Sequence, residues 1–291
     1  MTPEPVFILS APRSFSSIVC GIIGQHPECY GLPELNLFLA DDLGSLWWGP
    51  LALIPIGKHG LLRALAQLHE GEQTEDTISR AHKWVIEHST WSPRQVFSHL
   101  QDLIGPRIPV EKSPATVFRQ EYMDRLVRLY PNARFIHLTR HPRGTAESML
   151  RLRKTYEQSG MPDPERIWTR SNEIIIKATE HLPNGQCMRL QGEEFLQNLD
   201  HFLPQLCEWM GVRGDAEAIE AMMHPERSPY ACPGPRGAPL GNDVNFLNSP
   251  ALDRSRLARA ELPALAGQLS WRKGESFGKE TMSVARQFGY S

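Results

Sequence analysis

At 291 residues the chain is long enough to bury a sizeable core as one large α/β domain or two small ones. Its 31 Lys and Arg against 33 Asp and Glu leave a formal net charge of −2, so no basic field argues for nucleic acid and any anion recognition must be local. The five cysteines (Cys20, Cys29, Cys187, Cys207, Cys232) are scattered without a C-x-x-C, and no run approaches the ~18 apolar residues of a membrane span, so buried thiols, a cytoplasmic setting and no membrane partner are expected.

Val6-Phe7-Ile8-Leu9 is an all-apolar run of the kind that forms a strand buried on both faces. Ser10-Ala11-Pro12 breaks it, Ser14 is placed to cap a helix, and Ile18, Val19, Ile22 and Ile23 recur at helical spacing up to Gly24. A strand that enters a loop and then a helix aims free backbone N–H groups, and the positive end of the helix dipole, at one point. That is an anion site. Arg13 adds a fixed charge suited to an oxyanion, and Ser14, Ser16 and Ser17 add hydroxyls. The loop lacks the glycine pair and the lysine of G-x-x-x-x-G-K-[ST], and an ordinary turn with a surface arginine is the plain alternative.

His26-Pro27-Glu28 reads as a turn, and Cys29 to Leu32 as a short strand leading to Pro33-Glu34. Residues 37–58 are rich in large apolar groups without a clean period, among them Phe38, Trp47, Trp48 and Ile54. They suit either core packing or the lining of an apolar substrate pocket. Three helical patterns then fill 59–105, the last opened by Pro93 and carrying Val96, Phe97, Leu100 and Ile104, as an insertion over one edge of the sheet. Ile108 to Glu111 is extended and ends in Lys112-Ser113-Pro114. A helix through Tyr122, Leu126 and Leu129 precedes a buried-type strand, Phe135 to Thr139, which runs into Arg140-His141-Pro142. Pro142 opens a helix that carries Ser148 and reaches about Tyr156. A helix over roughly 164–182, a strand over 187–191 and a helix through Leu203, Leu206 and Met210 complete the alternation. Such alternation predicts a parallel sheet covered on both faces, in a single domain spanning 1–291. Residues 225–250 hold six prolines and three glycines, too many breakers for regular structure, but Tyr230, Val244, Phe246 and Leu247 give the segment the anchors of an ordered, lid-like loop.

Three separated motifs fall into one pattern: APRSFSS after the first strand, FIHLTRHPRGTAESM with Ser148 eight residues beyond Arg140, and Arg272-Lys273-Gly274 near the C-terminus. Together they resemble the sulfotransferases that use 3′-phosphoadenosine 5′-phosphosulfate (PAPS) and release the bisphosphate PAP. HPECYGLPEL and the second motif look most similar to the bacterial and protein-tyrosine branches. The resemblance spans Phe7 to Gly274 and implies a three-layer, P-loop-like α/β fold with a central parallel sheet flanked by helices. It further implies that Arg13, Ser14, Phe15, Ser16 and Ser17 cradle the 5′-phosphosulfate, that Arg140 and Ser148 hold the 3′-phosphate, and that Arg272, Lys273 and Gly274 reach that same phosphate.

Three positions depart from the family. Phe15 stands where the family loop has glycine, a costly choice if the position needs a positive φ. Pro114 follows Lys112-Ser113 where the cytosolic enzymes carry a catalytic histidine. Gly192, in LQGEEFL, stands where a tyrosine often contacts adenine, so adenine recognition must draw on other groups.

In-line sulfuryl transfer asks the protein to position two reactants and to stabilise charge on the leaving oxygen, which side-chain cations can do without a metal. Arg13 and Lys112 suit that task, and Glu34 suits the general base that takes the acceptor's proton. A surface charge for Arg13, a solvated strand end for Lys112 and an exposed turn for Glu34 are the structural alternatives. His137, in mid-strand, reads as a packed core histidine. The acceptor expected is a hydroxyl on an apolar or aromatic small molecule. The rival functions are a P-loop small-molecule kinase, disfavoured by the missing lysine, and a catalytically inactive nucleotide-binding homologue.

Overall fold

The computed structural model describes residues 3–155, 163–253 and 262–291. The expected strands form as β1 (Val6–Leu9), β2 (Cys29–Gly31), β3 (Ile108–Glu111), β4 (Arg134–Thr139) and β5 (Cys187–Gln191). They make one parallel sheet in the order β2-β3-β1-β4-β5, with Phe7 opposite Glu111 on one side and Phe135 on the other. The chain steps outward from β1 to β2, returns beside β1 as β3, and crosses to the far side as β4. The strand order therefore reverses at β1, and in open α/β sheets ligands bind at the carboxyl ends of the strands at such a point.

The helices follow in chain order: α1 (Ser16–Gly24), the short α2 (Leu43–Trp48) and α3 (Pro50–Leu53), then α4 (His59–Glu70), α5 (Glu75–Glu87) and α6 (Pro93–Ile104). Next come α7 (Gln120–Leu129), α8 (Pro142–Thr155), α9 (Pro164–Thr179), α10 (Gly192–Gln197), α11 (Leu199–Met210), α12 (Ala216–Met222), α13 (Val244–Asn248) and α14 (Lys279–Gln287). The expected end of α8 near Tyr156 lies outside the described residues. Six of these helices, α2, α3, α10, α12, α13 and α14, were not expected from the sequence. Local chemistry sets the boundaries elsewhere. Ser92 accepts from the Gln95 N–H while Gln95 reaches back to the Ser92 N–H, with Pro93 opening α6, and Asp163 caps the first turn of α9.

Two-residue alternation sends Phe7 and Leu9 to one face of β1 and Val6 and Ile8 to the other. On the first face the Phe7 ring lies 5.5 Å from the rings of Phe38, Phe97 and Tyr130. On the second, Val6 and Ile8 pack with Val19, Ile22, Ile23 and Leu203. Burial on both faces is why β1 carries no polar residue; each such side chain contributes about 1.5–3 kcal/mol. Residues 37–58 are mainly core: Leu37, Phe38, Leu43, Leu46, Trp47 and Leu51 are buried, whereas Trp48, Leu53 and Ile54 are 60 %, 87 % and 51 % exposed.

The breaker-rich stretch includes regular pieces that the composition did not predict: a 3₁₀ turn at Pro225–Arg227 and α13. Of the four expected anchors, Tyr230, Phe246 and Leu247 are buried and Val244 is half-buried. Arg63 of α4, wholly buried, donates to the Leu240 and Cys232 carbonyls at 2.9 Å each and so ties the segment to the helical insertion. No described helix is long and apolar enough to cross a membrane.

Candidate active site

Every strand ends in the same neighbourhood. The loop after β1, the turn after β2 that carries Glu34, Lys112 after β3, Arg140 after β4 and Gly192 after β5 all lie at the carboxyl edge of the sheet.

The loop after β1 has Arg13 at φ 67° and Phe15 at φ 65°, both in the left-handed region that residues with a Cβ disfavour. Ser14 does not cap α1 as its position suggested. Phe15 occupies the N-cap position and, among the described residues, no side chain caps the helix, so the N–H groups of the first turn remain for a ligand. The Ser14 hydroxyl is buried and has no hydrogen-bond partner among the described residues. The cost of such a group normally signals a missing partner.

Two arginines meet at this loop. Arg13 Nε donates to Ser148 Oγ at 3.1 Å, and its guanidinium pairs with Asp243. Arg140 Nη1 donates to the Arg13 carbonyl at 2.6 Å, and its guanidinium lies over the Phe15 ring, 4.1 Å from the centroid. Burial pulls the Arg140 pKa down to about 10; the nearby charges of Arg13 and Arg151 act in the same direction and Glu193 opposes them. A guanidinium so depressed would be stabilised by an added anion.

Lys112 is completely buried. Its Nζ donates to Ser17 Oγ at 2.7 Å and to Glu34 Oε1 at 2.6 Å, joining the loop after β1 to the turn after β2. Ser17 Oγ also accepts the Asp243 N–H at 3.0 Å. Glu34 is held by its backbone: its N–H donates to Gly241 O at 2.8 Å, and Gly60 packs so tightly against its carbonyl that any side chain there would collide. The next two N–H groups are captured from β3. Leu35 donates to Glu111 Oε1 at 3.3 Å, Asn36 donates to Ser113 Oγ at 2.9 Å, and the Ser113 hydroxyl donates to Glu111. Burial pushes the Glu111 carboxyl up to about 7, against the pull of those hydrogen bonds and of Lys112.

The cluster thus contains Arg13, Ser14, Phe15, Ser16, Ser17, Glu34, Lys112, Arg140 and Ser148. It does not contain the C-terminal basic tripeptide. Arg272 is engaged by Asp163 and by Glu165, the latter at 2.7 Å, while Lys273 and Gly274 are exposed. His137 is buried, shares a 2.9 Å hydrogen bond between Nε2 and Asn172 Oδ1, and is kept neutral by burial, its pKa down at about 4. It is a core histidine, as its mid-strand position suggested. Sequence reasoning missed Glu111 and Asp243. For Glu111 a signal existed, since a carboxylate closes an otherwise apolar buried strand. For Asp243 there was none: its contact with Ser17 spans 226 residues.

The chain matches the sulfotransferase family model over residues 5–216. It is similar to the solved sulfotransferase domain from the curacin biosynthetic pathway, at 24% identity and a TM-score of 0.79 over 99% of this chain and 98% of that one. It is also similar to the sulfotransferase domain of the Synechococcus PCC 7002 olefin synthase, at 26% identity and a TM-score of 0.74 over 100% of this chain and 98% of that one. No curated protein sequence matches it. The family match covers all five strands and every residue of the cluster, and on that ground the chain belongs to the sulfotransferase family.

Proposed function

We propose that the protein transfers the sulfuryl group of PAPS to a hydroxyl of an apolar or aromatic small molecule, in line and without a metal, with Glu34 as general base. One observation carries the reading. Lys112 Nζ bridges the anion-binding loop, at Ser17 Oγ, and the carboxylate of Glu34, so the leaving-group cation and the base lie a hydrogen bond apart.

The residues present suit the donor. The Ser14 hydroxyl, without a partner among the described residues, the uncapped first turn of α1 and the adjoining guanidiniums of Arg13 and Arg140 make a surface for two anionic groups. When bound, the donor supplies a sulfuryl group on a phosphate oxygen. Arg13, Lys112 and the N–H groups of residues 14–17 stabilise the charge that grows on that oxygen. Arg140 and Ser148 hold the 3′-phosphate. Glu34 accepts the acceptor hydroxyl's proton on its carboxylate, and Lys112 orients it for that transfer. Trp48, Leu53 and Ile54 present apolar surface on a segment tied to the Glu34 turn through Asn36, whose Nδ2 donates to Gly57 O at 2.9 Å. That favours an apolar acceptor. On this reading the chain works as one catalytic domain, with residues 225–250 as its lid.

Calorimetry with PAP against ATP–Mg, followed by sulfate transfer from PAPS to a panel of hydroxylated acceptors, tests the proposal. PAP should bind and ATP–Mg should not. Tighter binding of ATP–Mg would point to phosphoryl transfer instead, and binding of PAP with no transfer to any acceptor would point to a non-catalytic homologue.

A further inference from the structure

Phe15 and Gly192 each depart from the family pattern, and they meet in space. A Cβ at position 192 would stand 2.7 Å from Phe15 Cδ2 and 3.0 Å from the Thr139 carbonyl oxygen, so only a glycine at 192 leaves room for the ring. Phe15 in turn holds a left-handed φ of 65°, where glycine would be unstrained. A large residue thus holds a glycine's conformation, in the space that the missing side chain at 192 leaves open.

The seated ring meets Arg140. Its guanidinium lies 4.1 Å from the centroid of the Phe15 ring, within cation–π range. Its charged neighbours Arg13 and Arg151 repel it, while Glu193 attracts it. Attraction of the cation to a neutral ring face leaves the N–H donors at its rim unused by that contact. Gly144, where a Cβ would lie 3.4 Å from Arg140 Nε, bounds the guanidinium from the first turn of α8.

We propose that Phe15 and Gly192 form an interlocked pair that positions Arg140 for the 3′-phosphate of the donor nucleotide, Phe15 acting as a positioning residue through its ring face. This rests on the proposed role of Arg140 as the holder of that phosphate. It makes discrimination between a 3′-phosphorylated nucleotide and its dephosphorylated counterpart depend on a residue with no charge.

The test is the ratio of affinities for PAP and for adenosine 5′-phosphate, measured by calorimetry on the full chain. Wild type should prefer PAP by at least about tenfold, or ~1.4 kcal/mol. Phe15→Leu, which fills similar space without a π face, should lose most of that preference, whereas Phe15→Tyr should keep it. Gly192→Tyr should lose it as well, because its Cβ would displace the ring. A variant that is merely less stable lowers both affinities together and leaves the ratio unchanged. Should Gly192→Tyr not fold, the Leu and Tyr variants at position 15 decide the matter alone. Equal binding of the two nucleotides by wild type would overturn the Arg140 reading, and this proposal with it. A wild-type preference that survives Phe15→Leu would overturn this proposal only.

Discussion

Lys112, with no exposed side-chain surface, directs its Nζ at Glu34 Oε1, 2.6 Å away. A buried ammonium is tolerated only with an anionic or well-bonded partner, and Glu34, 31 % exposed, is that partner on the side facing solvent. Glu34→Gln keeps the shape and removes the charge. We expect turnover to fall about 10²–10⁴-fold, the usual contribution of a positioned base, with PAP affinity retained. Because Glu34 is partly solvated, the stability loss should be only about 1–2 kcal/mol. Steady-state turnover alongside a thermal melt checks both; turnover within a few-fold of wild type would place the base elsewhere.

Asp243 lies on the guanidinium of Arg13, and its N–H donates to Ser17, both groups proposed to bind the donor anion. A carboxylate at that position competes with a phosphosulfate and must move before it binds. Asn at 243 preserves the cap to the Asn245 N–H while removing the charge. We expect Asp243→Asn to tighten PAP binding by about 3–10-fold, as removal of a competing state does. Titration calorimetry reads this directly, and unchanged or weaker affinity would show that Asp243 is no competitor.

Glu111 is 3 % exposed and its pKa is raised from 4.5 to about 7 by burial. A folded-state pKa above the unfolded one means that the native state binds the proton more tightly. The resulting stability is full below about pH 4.5 and is lost as the pH rises through 7. Glu111→Gln cannot titrate. The stability of wild type relative to this variant should therefore fall between pH 4.5 and 7, by on the order of 3 kcal/mol in the limit, and be level outside that window. Urea unfolding of both proteins across pH 4–8 checks the slope; a flat difference would mean that Glu111 titrates at an ordinary value.

Arg272 belongs by position to a motif whose resemblance implies nucleotide contact, yet its partners are Asp163 and Glu165 at the start of α9. Glu165 also accepts the Gly278 N–H and the Thr281 hydroxyl at 2.7 Å each, so Arg272 neutralises a carboxylate that fastens the start of α14. We expect Arg272→Ala to lower stability by about 1–3 kcal/mol and to leave the preference for PAP over adenosine 5′-phosphate intact. Loss of that preference would show that Arg272 reaches the 3′-phosphate in the bound state.

The sheet and most of the helices were legible in the chain itself. A strand buried on both faces is mostly apolar along its length, and a helix between sheet and solvent repeats its apolar residues every three to four positions. Both constraints act within about ten residues, and Val6 to Leu9 or Val96 to Ile104 display them openly. The spacing of Arg140 and Ser148 is local in the same way, since one strand end and the next helix carry both. The closure of the site is of another kind. Ser17, Glu34 and Lys112 meet because β1, β2 and β3 are parallel neighbours whose carboxyl ends share an edge, whatever length of chain separates them. The same holds for Asp243 on Arg13, for Glu111 beneath the Glu34 turn, and for the Phe15 ring in the space above Gly192. In the sequence alone Phe15 was an unexplained cost and Gly192 a missing contact. A side chain's burial and periodicity are written in its neighbours, but its partner across the sheet is decided by strand order, which only the tertiary structure supplies.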